Sequence, residues 1–154
     1  MGYPVYLLVA VLITAVVLTV FVQSALFITQ NSEEHMIYQE LQKIVIEAQN
    51  MYEYADEGTM VTVHLELPSS LRFAVFGDVP LPGYKQPGSL DRNNAASNNQ
   101  YYYVMNNGEM AMFHISARFC GDATTDIVFL QPGSFDITLE LIRDLEGHSF
   151  VKIT

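Results

Sequence analysis

The sequence predicts an α+β protein in which a long N-terminal α-helix, apolar at first and then amphipathic, packs on a small antiparallel β-sandwich head. Three observations predict this fold. No charged side chain occurs before Glu33, residues 5–57 contain neither proline nor glycine, and after Gly58 the hydrophobic period changes from helical to alternating. With 154 residues, the chain is long enough for one domain and a separate apolar segment.

The first predicted segment, residues 1–30, is an apolar helix suited to a membrane or to the core of a filament. Its run of uncharged, mostly aliphatic residues exceeds the roughly 18 residues that can cross about 30 Å of hydrocarbon. A secretory signal peptide would combine a positive start, a shorter apolar stretch and a small-residue cleavage site, and the sequence does not show that order. We expect assembly contacts along this helix from Val5, Leu8, Leu12, Val16, Thr19, Val20 and Phe27.

No basic side chain accompanies this helix, because the first one in the sequence is Lys43. Lys or Arg beside a membrane helix normally sets its orientation. We therefore expect that basic residues preceded Met1 in a precursor and were removed, so that the mature helix can leave the bilayer and pack with copies of itself. An uncleaved anchor with an unusual arrangement of charges is the alternative.

Residues 31–57 are predicted to continue the same helix with an amphipathic pattern. Apolar residues recur there at spacings of three and four, while the acidic residues fall elsewhere. We expect this apolar stripe to pack against the head, and we expect Gly58 to end the helix in a left-handed cap. The residues expected to pack the helix on the head are Ile37, Leu41, Ile44, Ala48 and Met51.

Residues 58–154 are predicted to form the β-sandwich head. Asn106-Asn107-Gly108 is a strong signal for a type I′ hairpin, and Pro132-Gly133 and Gly147 are expected to turn the chain further on. No helical pattern follows Gly58, so we expect an antiparallel sandwich. Alternating hydrophobicity between turn residues indicates strands in MVTVHLEL, LRFAVF, YYYVM, MAMFHI, DIVFL, FDITLEL and SFVKI.

A long predicted loop, residues 77–100, interrupts the strands of the head. It is rich in Gly, Pro, Asn and Ser and has no hydrophobic period. We expect it on the outer surface, because a buried loop would leave backbone hydrogen-bonding groups without partners. The candidate surface contacts in and beside it are Tyr84, Lys85, Arg92 and Tyr101.

The composition excludes a nucleic-acid partner and gives no support to catalysis. The formal net charge is −10, with only 7 Lys and Arg residues, whereas phosphate binding needs clustered basic side chains. His64, His114 and His148 lack the spacing of metal-binding motifs. We therefore expect no metal, no cofactor and no enzymatic activity, and we expect the single Cys120 to be a small buried apolar residue.

Two stretches of the sequence resemble archaeal type IV pilin-like proteins, and the resemblance covers most of the chain. The run IVIEAQNMYEYADEGTMVTVHLELPSSLRFAVFG is similar to the helix end, glycine turn and first hairpin of those proteins. The closing LQPGSFDITLELIRDLEGHSFVKIT is similar to their terminal hairpin. Position 5 is Val and not the Glu of bacterial pilins, which favours the archaeal branch.

The resemblance implies a structural subunit of an extracellular filament that serves adhesion or surface contact. It also implies a membrane-inserted precursor, cleavage by a prepilin-type peptidase and helical polymerisation with copies of the same chain by an assembly machinery. A membrane-anchored β-sandwich binding module, accessory to an archaeal surface or motility machine, is the alternative function. N-x-Ser/Thr sequons are absent from the sequence, so N-glycosylation is not expected.

Overall fold

The structure, a computed structural model, describes residues 3–80, 98–124 and 126–154, with the backbone alone at positions 3, 4, 27, 30 and 31. It divides into two compact units, Met1–His35 and Met36–Thr154. An N-terminal helix is followed by two β-sheets. The predicted α+β class is therefore confirmed.

The strands of the second unit form two four-stranded sheets. The first sheet has the order β1-β7-β8-β5 and the second the order β4-β3-β2-β6. The strands are β1 (Met60–Leu67), β2 (Leu71–Phe76), β3 (Gln100–Met105), β4 (Met110–His114), β5 (Phe119–Cys120), β6 (Val128–Leu130), β7 (Gly133–Arg143) and β8 (Ser149–Ile153).

Helix α1 spans Tyr3–Tyr54, so it ends before the predicted boundary at Glu57. Gly58 does adopt a left-handed conformation, with φ of +84°. Its N–H donates to the carbonyl of Leu141 on β7 at 2.8 Å. The expected role of Gly58 as a helix cap is therefore wrong, because this glycine lies in the turn that aligns the chain with the first sheet.

The hairpin between β3 and β4 differs from the predicted type I′ turn. Type I′ requires positive φ at both central residues, and among the described residues only glycines have positive φ. The N–H of Gly108 donates to Met105 O at 2.9 Å, and the N–H of Met105 donates to Glu109 O at 2.8 Å. The loop is therefore a three-residue turn closed by a glycine bulge at Gly108, which has φ of +86°.

Two further features of the sheets were not predicted, and the first of them departs from a wholly antiparallel topology. Strand β5 is missing from the prediction, because two residues are too few to show a period, and it pairs in parallel with β8. Strands β6 and β7 belong to different sheets. Pro132-Gly133 therefore carries the chain from one sheet to the other.

The second unit has one main core that the helix and both sheets share. Inward side chains of β1, β7 and β8 meet those of β2 and β3, and the apolar stripe of α1 lies among them. Strands β2 and β3 are buried on both faces, since Phe73, Val75, Tyr102 and Val104 form a second cluster beside Ile127.

The two ends of the predicted loop 77–100 meet where β2 ends and β3 begins, at the two inner strands of the second sheet. The N–H of Gly77 donates to Gln100 O at 2.9 Å, and both Gly77 and Asp78 are buried. Gly77 has φ of +84°, and a Cβ atom there would lie 3.0 Å from the carbonyl oxygen of Phe119, so only glycine fits without strain. This end of the loop is therefore not on the outer surface, which corrects the prediction for Gly77 and Asp78.

Candidate functional site

The N-terminal unit presents an exposed apolar helix. Its candidate membrane span, Val5–Leu26, has 22 residues and a mean hydropathy of 2.9, and none of it is buried. The described large hydrophobic side chains between Val5 and Ile28 are between 45% and 78% exposed in the single chain. A helix of this length covers about 33 Å at ~1.5 Å per residue, which matches the ~30 Å hydrocarbon core of a bilayer.

Three threonines on this helix have hydroxyl groups that already have partners. Thr14 donates to Ala10 O at 2.8 Å, and Thr19 donates to Ala15 O at 2.8 Å. Thr29 makes the same bond to Ala25 O at 3.0 Å. These hydroxyl groups therefore add little cost when the helix enters a medium without water.

The residues predicted to make assembly contacts lie on this exposed helix. Val5, Leu8, Leu12, Val16 and Val20 are exposed. Thr19 is exposed and bonded within the helix, and the side chain of Phe27 lies outside the described residues. Because the neighbouring apolar side chains are equally exposed, the single chain does not distinguish these positions from the rest of the span.

The residues predicted to pack the helix on the head lie in the main core. Ile37, Leu41, Ile44 and Ala48 are 0% exposed, and Met51 is 3% exposed. All of them belong to the cluster that includes side chains of both sheets. This part of α1 therefore belongs to the folded head.

Two polar side chains of α1 bind the sheets beside this core. Glu40 accepts the backbone N–H of Glu66, on edge strand β1, at 2.9 Å and pairs with Lys43 at 2.7 Å. Partial burial opposes ionisation of Glu40, but Lys43 and the Glu66 amide outweigh it, so its pKa lies below the ordinary value. Gln42 donates from Nε2 to the hydroxyl of Tyr101 at 2.8 Å.

Tyr101 is not an exposed contact residue, which corrects the prediction for it. It is 0% exposed and stacks between Phe76 and Phe113 at centroid distances of 5.1 and 5.0 Å. Burial raises its pKa to about 12. Consecutive tyrosines give no local signal that separates a buried ring from an exposed one. The other candidate contacts, Tyr84, Lys85 and Arg92, lie outside the described residues.

Comparison with known proteins gives no information about the function of the helix or of the head. No protein-family model, curated protein or solved structure matches the chain. The functional inference therefore rests on the chemistry and geometry of the chain's own side chains.

The described residues of the second unit line at least two open clefts. The larger, about 570 Å³, includes Asp122, Asp126 and Phe129 in its lining. The smaller, about 390 Å³, is lined by α1 and β1 side chains that include Lys43 and Ile46. Neither brings a serine or cysteine beside a histidine among its described lining residues.

His64 lies in a cluster of polar side chains that spans β1 and β7. Its Nδ1 atom is 2.6 Å from Asp136 Oδ1, and its Nε2 atom is 3.7 Å from Glu66 Oε1 and 3.5 Å from Ser134 Oγ. The hydrogen bond to Asp136 raises the pKa of His64. The cluster is exposed to solvent, and neither cleft includes Ser134.

A second histidine cluster lies in the turn between β7 and β8. Asp144 Oδ1 accepts the backbone N–H groups of Glu146 and His148 at 2.9 and 2.8 Å. Slight desolvation opposes ionisation of Asp144, but these bonds and the His148 ring outweigh it and lower its pKa. Gly147, with φ of +85°, lets the chain turn between Glu146 and His148.

Sequence reasoning missed both histidine clusters for a physical reason. His64 and Asp136 are 72 residues apart and meet only because the register of β1 against β7 places them opposite each other. Asp144, Glu146 and His148 alternate in sequence, and their spacing matches none of the usual metal-binding motifs. Two acidic residues before a turn glycine and a histidine directly after it are the local signal that could have indicated the second cluster.

Proposed function

We propose that the chain is the structural subunit, a pilin, of an extracellular archaeal type IV pilus-like filament. It polymerises with copies of itself through the N-terminal apolar helix and serves adhesion or surface contact. The observation that carries this proposal is the apolar surface of Val5–Leu26, none of which is buried in the single chain. An apolar surface of this extent must be covered by lipid or by protein.

Copies of the same helix can cover this surface as well as lipid can. Apolar area gains about 25 cal/mol per Å² when it leaves water, and close packing would bury on the order of 1,000 Å² in each subunit. The helix is apolar on every side, so it can contact several neighbours at once instead of one partner along a single seam. The hydroxyl groups of Thr14, Thr19 and Thr29 are already satisfied inside the helix.

The resemblance to archaeal type IV pilin-like proteins supports the same proposal. It adds a membrane-inserted precursor, a prepilin-type peptidase and an assembly machinery as partners. In this proposal the apolar helices form the interior of the filament and the heads form its exterior. Since no basic residue follows Leu26 before Lys43, no local positive charge holds that end of the helix at an anionic membrane surface.

The second candidate function is a membrane-anchored β-sandwich binding module, accessory to an archaeal surface or motility machine. The 22-residue length of the span favours it, because a helix of that length crosses a bilayer once. In this case the helix stays in lipid and the head binds a partner at the surface. The two functions therefore differ in where the helix resides in the mature protein.

Shearing of producing cells, followed by fractionation and electron microscopy, tests the proposal. A filament subunit is expected in the sheared, high-molecular-mass fraction as regular fibres. Val16→Asp should abolish the fibres, because an unpaired charge among apolar helices costs several kcal/mol. Gln131→Glu, a charge added at an exposed position of the head, is the matched control and should leave the fibres intact.

Either of two results would contradict the filament. Wild-type protein that remains in the membrane fraction as a monomer after shearing would favour the anchored module. Normal fibres from the Val16→Asp protein would show that the apolar helix does not form the filament core.

A further inference from the structure

Two histidines of the second unit each contact two carboxylates, but the two clusters differ in geometry. At His64 the carboxylates lie on opposite ring nitrogens, with Asp136 at Nδ1 and Glu66 at Nε2. At His148 both carboxylates approach the same atom, Nδ1. A single ion can contact every member of the second cluster and cannot do so in the first.

Two distances in the second cluster are close to those between neighbouring ligands of one metal ion. Asp144 Oδ2 lies 3.2 Å and Glu146 Oε2 lies 3.6 Å from His148 Nδ1. One ligand atom from each residue falls within 4.8 Å of the other two. Two ligands of a tetrahedral zinc ion, with bonds of ~2.0–2.1 Å, are separated by about 3.4 Å.

Hydrogen bonding explains only part of this arrangement. The Nδ1 atom of an imidazole carries at most one proton and can make one good hydrogen bond, yet two carboxylates converge on it. Asp144 Oδ1 is held by the backbone N–H groups of Glu146 and His148, and its Oδ2 lies 3.2 Å from His148 Nδ1, so the carboxylate is held beside the imidazole nitrogen. These backbone bonds fix the carboxylate in place before any ion binds.

We propose that Asp144, Glu146 and His148 form a binding site for Zn²⁺ in the turn between β7 and β8. One imidazole nitrogen and two carboxylate oxygens are ligands that zinc accepts, whereas calcium takes oxygen ligands. The two carboxylates balance the charge of the ion. Glu146 is 80% exposed, so water can occupy the fourth coordination position. This site differs from the sequence-based expectation of no metal, and it is independent of the proposed filament.

The test is a zinc titration of the full chain, purified in mild detergent without a polyhistidine tag and followed by calorimetry. The wild-type protein should bind one ion per chain. His148→Gln and Glu146→Gln should each weaken binding by about tenfold or more. His64→Gln is the matched control, because it removes the other histidine that has two carboxylate neighbours, and it should leave the affinity unchanged.

Circular dichroism of each variant checks that the head is folded, and Glu146→Gln changes an exposed side chain without altering its volume. Three results would overturn the site. These are the absence of stoichiometric binding by the wild-type protein, an unchanged affinity in His148→Gln or Glu146→Gln, and an equal loss in His64→Gln.

Discussion

Tyr101 and Tyr102 are neighbours on β3 and both are buried, but their hydroxyl groups have different surroundings. The hydroxyl of Tyr101 accepts a hydrogen bond from Gln42 of α1. The hydroxyl of Tyr102 faces the other side of the sheet and has no hydrogen-bond partner among the described residues. Burial, with the nearby Asp78 charge, raises the pKa of Tyr102 to about 12.

These two hydroxyl groups should therefore respond in opposite ways to removal. Tyr101→Phe leaves the Gln42 amide without its acceptor and should destabilise the head by about 1 kcal/mol. Tyr102→Phe removes a buried hydroxyl without a partner and should be neutral or stabilising. Urea unfolding of the full chain in mild detergent, followed by circular dichroism, measures both. Equal losses in the two variants would contradict the assigned hydrogen bond.

His64 should make the stability of the head depend on pH. Its hydrogen bond to Asp136 raises its pKa above the ordinary value of 6.5, so the folded state favours the protonated ring. The stabilisation of the folded state by the protonated His64 ring is fully present below the pKa that His64 has in the unfolded chain. It is lost as the pH rises through the higher pKa of the folded state.

The comparison is wild type against His64→Gln in urea at a series of values from about pH 5 to about pH 8. The wild type should be the more stable at the acidic end, and the difference between the two proteins should shrink as the pH rises. The described groups near the ring include Asp136, Glu66 and Ser134 on the sheet, and the charge of Glu40 on α1 also interacts with it. A difference that stays constant across this range would exclude a contribution from protonation of His64.

At the scale of the element, the second half of α1 has one face buried in the core and one face exposed. Ile44 is 0% exposed, whereas Ile46, two positions further, is 52% exposed. Both residues are isoleucines in the same helix, so the Ile→Ala change alters helix propensity equally at the two positions. Any difference in the loss of stability therefore reports burial.

Ile44→Ala should therefore cost about 2–5 kcal/mol, because it opens a cavity in the core. Ile46→Ala should change the free energy of unfolding by about 0.5 kcal/mol or less. Thermal or urea unfolding of the two variants measures both changes in the free energy of unfolding. Similar losses at both positions would show that the face of α1 at Ile46 is covered in the folded protein.

At the scale of the whole molecule, the two units have separate requirements for stability. All members of the main core lie within Met36–Thr154, and the candidate span Val5–Leu26 contributes no buried side chain. The head should therefore fold without the span, although assembly should not occur without it.

A protein that begins at Asn31 should be soluble, rich in β-structure and unable to form fibres. Circular dichroism and sedimentation measure these properties, with the full chain in detergent as the reference. An unfolded fragment would show that the span is needed for the fold of the head. Native fibres from the fragment would show that the span is not the assembly element.

The sequence by itself determined the type and approximate bounds of most elements, because their causes are local. An uncharged run without proline or glycine predicts the first part of α1, and a three-and-four spacing predicts the stripe from Ile37 to Met51. Period-two alternation predicts β1 and β8 with the bounds that the structure has. These patterns depend on neighbours along the chain, so a single sequence contains them.

Only the tertiary structure decided which residues meet. The parallel pairing of β5 with β8, the burial of Tyr101 and the contact between His64 and Asp136 all depend on strand register and on side chains far away in sequence. The alternating pattern of a strand shows which of its faces is apolar but does not show which strand pairs with it. Even the type of turn at Gly108 follows only from its backbone hydrogen bonds, because the same residues suit two kinds of hairpin with different loop lengths.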